Sequence, residues 1–219
     1  MIAPQDMTLD ELRDALAAVL PGHAVFDGWT DQALAGAAAE LDVPADRAAL
    51  CFPDGQIGMI DAWFTAIDRE MVTVMSAETL AGMKIRQRIT ALVRARLDAA
   101  TRHPDALRRA LTILARPKNA ARSARLGWRA ADAMWHAAGD RSVDFAWYTK
   151  RLTLAAVYGS TLMAWMDDDS DGFADTMAFL DRRIDNVMSF ERFKGRVKPD
   201  PDRHFSPARF FGRLRYPTV

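Results

Sequence analysis

The sequence predicts an all-α protein. Apolar residues recur at helical spacing along most of the chain, and no run of strand-like alternation is bounded by hairpin turns. Prolines, glycines and Ser/Thr caps fall between the periodic stretches. With 219 residues, 50% of them hydrophobic and 26% charged, the chain can bury a real core, which excludes wholesale disorder and fibrous repeats.

The first helix is expected over residues 8–20, with Thr8 as N-cap, Glu11 completing a capping box and Pro21-Gly22 stopping it. Leu12, Ala15, Leu16 and Val19 form its apolar stripe. Thr30 caps a short helix through Leu41, Pro44 opens another to Leu50, and Phe52-Pro53-Asp54-Gly55 is a turn before an apolar helix over 57–75. A strongly amphipathic helix follows, with Ile85, Ile89, Leu92 and Val93 on one face and Lys84, Arg86, Arg88, Arg94 and Arg96 assigned to the other. Pro104 and Pro117 start helices over 104–115 and 117–138, the latter ended by Gly139. Ser142 caps a helix to about Met166, and an acidic turn, 167–172, leads into a last long helix to about Phe193. Pro199, Asp200, Pro201 and Pro207 mark a linker to a short tail. The resulting division is an N-terminal helix-turn-helix-like domain over 1–80, a helical domain over 81–195, and the linker and tail over 196–219.

Zero net charge hides an asymmetry. Residues 1–80 hold three arginines against fourteen acids, a net of −11, and residues 81–219 carry the balancing +11. The two halves are therefore expected to face different partners. The start of the chain carries acids rather than a basic, apolar leader, and no apolar run is long enough to span a bilayer. The expected location is cytoplasmic, without a spanning helix.

The sequence offers little catalytic chemistry. One cysteine, Cys51, excludes an intramolecular disulfide framework and multi-cysteine metal sites, and there is no phosphate loop, nucleophile elbow or histidine cluster. Asp167, Asp169, Asp171 and Gly172 occupy positions 1, 3, 5 and 6 of a calcium loop, but Ala178 stands where a bidentate carboxylate is required. The turn reads instead as a cap, with Ser170 or Asp171 starting the next helix. His136 and Asp140 form an unconvincing acid-base pair near a helix end. No catalytic residue, metal or cofactor is expected.

Residues 30–53, ending in Phe-Pro-Asp-Gly, resemble the helix-turn-helix of TetR-type regulators. That makes a ligand-responsive transcriptional regulator the alternative reading. Electrostatics argues against it, because the recognition segment 45–50 offers Arg47 alone in an acidic half, and phosphate contacts need several bases. The helix-turn-helix reads as degenerate, with no nucleic-acid partner.

Soft apolar bulk concentrates late in the chain, where Met134, Met163, Met166, Met177, Trp135, Trp147, Tyr148, Trp165 and Phe179 suit either a core or an adaptable ligand site. Leu152, Ala156, Met163, Met177 and Phe179 are the lipid-lining candidates, chosen by helix face and softness. In the tail, Ser206-Pro207 starts a helical turn with Phe210, Phe211 and Leu214 on one arc and Arg209 and Arg213 on the other, the pattern of a short membrane-contact segment.

Residues 134–151, MWHAAGDRSVDFAWYTKR, resemble the signature of the lipid-binding accessory proteins of ubiquinone biosynthesis. Agreement extends to GWTDQALAGAAAEL, KIRQRI, ALTILARPKN and FLDRRI, covering most of residues 28–190. The resemblance implies a TetR-regulator-like helical bundle that is not an enzyme. It implies a homodimer that binds an isoprenoid quinone precursor or phospholipid at the membrane surface and serves the di-iron demethoxyubiquinone hydroxylase. The family's hydroxylase surface maps onto Asp132, Met134, Asp144, Trp147 and Tyr148. The family's eukaryotic members end in a longer amphipathic helix, where this chain has its brief proline-spaced tail.

Overall fold

The computed structural model describes residues 4–142 and 145–197, and every regular element among them is helical. The α-helices are α1 (Leu9–Asp27), α2 (Asp31–Glu40), α3 (Ala45–Cys51), α4 (Gly55–Val74), α5 (Ala77–Ala81), α6 (Ile85–Thr101), α7 (Pro104–Leu114), α8 (Ala120–Ala137), α9 (Phe145–Met166) and α10 (Ala174–Val197). Short 3-10 turns precede α1, α8 and α10. Packing divides the chain into two units, Met1–Ile184 and Asp185–Val219. The expected tail contacts, Arg209, Phe210, Phe211, Arg213 and Leu214, lie outside the described residues, as does Asp144.

The capping box forms as the sequence predicts. The Thr8 amide donates to Glu11 Oε2 at 2.8 Å and the Glu11 amide to Thr8 Oγ1 at 3.3 Å. The stop at Pro21 does not occur: α1 runs through this buried proline to Asp27. Gly28 ends the helix with φ of +71°, a left-handed conformation that costs glycine least. Leu12, Leu16, Ala17, Leu20 and Ala24 are completely buried. The short α5 fills a stretch for which no helix is predicted, capped by Ser76 on the Thr79 amide.

The first unit is stapled between its early and late helices. Trp29 Nε1 donates to Ala106 O at 3.0 Å, and its ring packs 5.2 Å from Trp63. Arg13 donates to Cys51 O at 2.6 Å and Gly58 O at 3.0 Å, fastening α1 to both ends of the α3–α4 turn. Arg88 donates to Met83 O and Ala138 O, closing the α6 start on the α8 end, where Gly139 turns the chain with φ of +87°.

Part of the charge asymmetry is met inside the molecule, where four acids of the first half pair with arginines of the second. Asp54, Asp61 and Asp68 recur every seven residues from the start of α4 onward, on one side of the helix. Arg122 pairs with Asp54 at 2.6 Å, Arg129 pairs with Asp61, and Arg96 pairs with Asp68 at 2.7 Å. Arg102 adds a bond to Glu70. Acids of the first half thus hold α4 against bases of α6 and α8.

The acidic turn before α10 is a cap, as the sequence suggests, but the capping group is Asp168 rather than Asp171. Its Oδ2 accepts from the Thr176 amide and its Oδ1 from the Ser170 amide, both at 2.8 Å, while the hydroxyls of Ser170 and Thr176 donate to the same carboxylate. Those bonds hold the Asp168 carboxyl well below the usual carboxylate range. Ser170 contributes through its hydroxyl, which accepts from the Asp175 amide at 3.0 Å.

Candidate functional site

In a TetR-like arrangement the DNA-reading element is α3, and here it has no cation to offer. The guanidinium of Arg47 donates to Pro4 O at 3.0 Å and Met7 O at 2.7 Å, securing the N-terminal turn. Arg13 is bound to backbone carbonyls and Arg69 pairs with Asp14. All three arginines of residues 1–80 are therefore engaged within the protein.

The aromatic residues of the α8–α9 pair form a surface patch. Trp128, on α8, lies 5.5 Å from Trp147 and 6.3 Å from Tyr148, and Trp147 and Tyr148 meet edge to face at 4.8 Å. Tyr148 is 59% exposed and both tryptophans are half-buried. Trp128 was not singled out by the sequence. It falls nineteen residues before Trp147, and only the antiparallel return of α9 along α8 brings them together.

A buried ionic cluster supports this patch. Arg151 donates through Nε to Asp132, and through Nη1 to Asp140 Oδ2 and Trp147 O, each at 3.2 Å. Asp140 also accepts from Lys150 Nζ and from Ser142 Oγ, each at 2.7 Å. Burial opposes ionisation of Asp140, but the bonds from Lys150, Ser142 and Arg151 outweigh it and pull its pKa down to about 2. His136 approaches Asp132 at 3.7 Å. Asp140 is thus committed to Lys150 and Arg151, and it forms no acid-base pair with His136.

Of the residues expected to meet a partner, Trp147 and Tyr148 lie in this patch and Asp132 borders it while holding Arg151. Met134 is completely buried and presents nothing to a partner, which corrects its assignment to the surface. It belongs to the α8 stripe Leu126, Ala130, Ala131 and Met134 that faces the core.

The lipid-lining candidates do not converge on an interior. Leu152 is 65% and Met163 60% exposed, and Ala156 is exposed with them on the outer face of α9. The inward face is the complementary set Leu154, Val157, Tyr158, Thr161, Leu162 and Trp165, all buried. The candidate face is therefore outward-turned: both faces of α9 are apolar, so periodicity alone does not say which is covered. Met177 and Phe179 are half-buried on α10, with the Arg183 guanidinium 5.4 Å over the Phe179 ring.

The sequence also missed a charged cluster in the core. Arg96, assigned to the solvent face of α6, is 1% exposed. Its Nε donates to Asp68, its Nη1 reaches the Tyr158 hydroxyl, and its guanidinium lies 4.6 Å over the Tyr158 ring and 5.5 Å over Phe64. Burial pushes the Tyr158 phenol up, so Tyr158 is neutral at physiological pH. Asp68 Oδ2 and Arg129 Nε face each other at 3.5 Å without a hydrogen bond. The signal was available, since Arg96 sits four residues after Leu92 and three after Val93, on the buried stripe.

Among the described residues, no group of three or more His, Cys, Asp or Glu side chains could hold a metal ion, and no helix is long and apolar enough to cross a membrane.

Comparison with known proteins bears on this same α8–α9 region. Residues 120–191 match the COQ9 family. The rat protein described as "Ubiquinone biosynthesis protein COQ9, mitochondrial" is 33% identical over 185 residues, which cover 82% of this chain and 58% of the rat protein. The human protein of the same description is 32% identical over 82% of this chain and 57% of its own length. The Drosophila melanogaster protein is 28% identical over 84% of this chain and 57% of its own. The chain thus spans less than two thirds of the length of these relatives. Among solved structures, a TetR transcriptional regulator from Nitrosomonas europaea ATCC 19718 superposes with a TM-score of 0.65 at 24% identity, covering 82% of this chain and 99% of that one. That likeness establishes a TetR-like all-α fold. The segment matched to the family contains Trp128, Trp147, Tyr148 and Arg151, and by its 33% identity to the rat protein over 82% of its length the chain belongs to the COQ9 family.

Proposed function

We propose that the protein is a non-catalytic, lipid-binding accessory protein of ubiquinone biosynthesis. It presents a polyprenyl quinone precursor to the demethoxyubiquinone hydroxylase at the membrane. The observation that carries this reading is the COQ9 match over residues 120–191, which falls on the aromatic patch of α8 and α9.

In this reading Trp147 and Tyr148, joined by Trp128, are the apolar anchors for the hydroxylase, and Asp132 and Asp144 fix its orientation. The isoprenoid chain, or a phospholipid acyl chain, lies along the outward face of α9 over Leu152, Ala156 and Met163, with Met177 and Phe179 of α10 as further contacts. Each buried methylene contributes about 0.8 kcal/mol. A second copy of the chain covers what remains of that face in a homodimer. The tail residues Arg209, Phe210, Phe211, Arg213 and Leu214 give weak attachment to a membrane surface, the bacterial inner membrane in the setting proposed here. The functional division into residues 1–80, 81–195 and 196–219 follows from the same reading.

Against the transcriptional alternative, Arg47 is occupied by the carbonyls of Pro4 and Met7, so α3 has no base to place near a phosphate. No nucleic-acid partner is proposed.

The test is lipid extraction and native mass spectrometry of the purified protein, with pull-down of the hydroxylase. Co-purifying isoprenoid or phospholipid and a retained hydroxylase are the expected results. A protein that is lipid-free from several expression hosts and does not retain the hydroxylase would overturn the reading.

A further inference from the structure

Once the internal ion pairs are accounted for, a cluster of cations remains at the corner where α7 passes into α8. Arg116, Lys118 and Arg125 are exposed and have no ion pair among the described residues. Arg122, on the same ridge, is held by Asp54 at 2.6 Å, so Asp54 is the one acid paired there and three positive charges remain uncompensated. Along the chain, no acid occurs between Asp105 and Asp132.

These charges sit where a helix least tolerates them. Arg122 and Arg125 stand at i and i+3 in the first turns of α8, neighbours on one face, and Lys118 precedes them in the 3-10 turn that leads into the helix. That end carries the positive pole of an 18-residue helix whose first turn contains no acid. Nor does its N-cap help: Asn119 turns its carboxamide inward, donating from Nδ2 to Ile113 O at 2.7 Å. Ser123 Oγ then donates to Leu114 O at 2.7 Å and Asn119 O at 3.0 Å. The corner is thereby rigidly held while its electrostatics conflict with helix stability, a local cost that an external anion would relieve.

We infer that the α7–α8 corner is a docking surface for an anionic phospholipid bilayer. The cations are separated by short exposed residues, Ala115, Pro117, Ala120, Ala121 and Ala124, so their long side chains stand clear and reach a plane together. Residues 115–125 contain no aromatic ring on which a base could stack, the usual companion of cations in single-strand binding, and α3 has no free base for a duplex. The choice of a bilayer over another polyanion rests on the lipid-carrier reading; the existence of the basic surface does not. Docking through this corner brings a folded helix end to the headgroups independently of the tail.

The experiment is vesicle flotation of the full chain with phosphatidylcholine alone and with phosphatidylcholine mixed with phosphatidylglycerol, across a salt series. The triple variant Arg116→Ala, Lys118→Ala, Arg125→Ala is compared with Lys84→Ala, Arg141→Ala, Arg182→Ala, which removes the same charge from exposed positions elsewhere. Each base near an anionic surface strengthens association by roughly fivefold. The corner variant is expected to lose binding to the anionic vesicles on the order of a hundredfold at low salt, with an unchanged circular dichroism spectrum. The control variant keeps most of the binding.

Equal losses in the two variants, or no loss in the corner variant, would overturn the inference. So would loss of duplex DNA binding with vesicle binding intact. Lipid extraction of the corner variant separates the two readings: lipid content like that of the parent is expected. Salt-sensitive vesicle binding through the corner by a protein that never carries lipid would remove the carrier reading and leave the docking surface standing.

Discussion

Arg151 lays its guanidinium 4.0 Å over the indole of Trp147 and also accounts for the carboxylates of Asp132 and Asp140. The exposed aromatic patch is thus fixed from below by a cation that is itself 1% exposed. Replacing Arg151 with Met leaves the nearly buried Asp140 with less of its compensating charge. The expected cost is about 3 kcal/mol, the scale for breaking a buried pair from one side. Urea denaturation of Arg151→Met followed by circular dichroism measures it, and a loss under about 1 kcal/mol would mean that Lys150 alone satisfies Asp140.

Removing the ring rather than its support separates binding from folding. Trp147 is half-buried at the surface, so Trp147→Ala should leave the denaturation midpoint nearly unchanged. If the ring is a desolvated anchor, hydroxylase affinity falls by about 2 kcal/mol. Trp128→Ala should weaken binding less, since that ring acts by packing against Trp147 and Tyr148. Calorimetric titration of the hydroxylase with each variant decides the order of effects; equal affinities for the parent and Trp147→Ala would remove the patch from the interface.

The buried pair of the core makes a different prediction. Arg96 and Asp68 are both buried, and Arg96 also meets Tyr158 and lies over two rings. Asp68→Asn leaves Arg96 charged and poorly compensated, with an expected loss of about 3–5 kcal/mol. The double variant Arg96→Met, Asp68→Leu removes both charges and should recover much of that loss, because well-packed apolar replacements of a buried pair are often neutral. A double-mutant cycle built from Arg96→Met, Asp68→Leu and their combination, followed by chemical denaturation, checks it, and additive losses would deny the coupling.

What the sequence makes legible is local chemistry. The Thr8–Glu11 capping box, the Thr30 cap, the proline starts of α7 and of the turn before α8, and the glycine ending α8 are each determined by neighbouring residues and form as read. Pro21 fails as a stop because packing of Leu16, Ala17, Leu20 and Ala24 against the bundle continues the helix through it. Tertiary partners account for the other differences. Arg96 is drawn into the core by Asp68, twenty-eight residues away, and Asp168 rather than Asp171 caps α10 because its carboxylate reaches four donors at once. The resemblance in residues 134–151 singles out Trp147 and Tyr148, and only the fold places Trp128 beside them and buries Met134.

Acid should expose the weight carried by Asp140. An ordinary aspartate ionises near pH 3.9, whereas Asp140 in the folded protein does so at about 2. The unfolded chain therefore binds the proton more readily than the native one. The stability that this carboxylate contributes is complete above about pH 5 and drains away as pH falls from about 4 toward 2. Asp140→Asn removes the titration while keeping a side chain of the same shape. The variant should be less stable than the parent at neutral pH, with the difference narrowing through that window as Lys150 and Arg151 lose their anionic partner in the parent too. Urea midpoints for both proteins at a series of pH values measure the convergence; curves that stay parallel down to the lowest pH would show that Asp140 is not the titrating group.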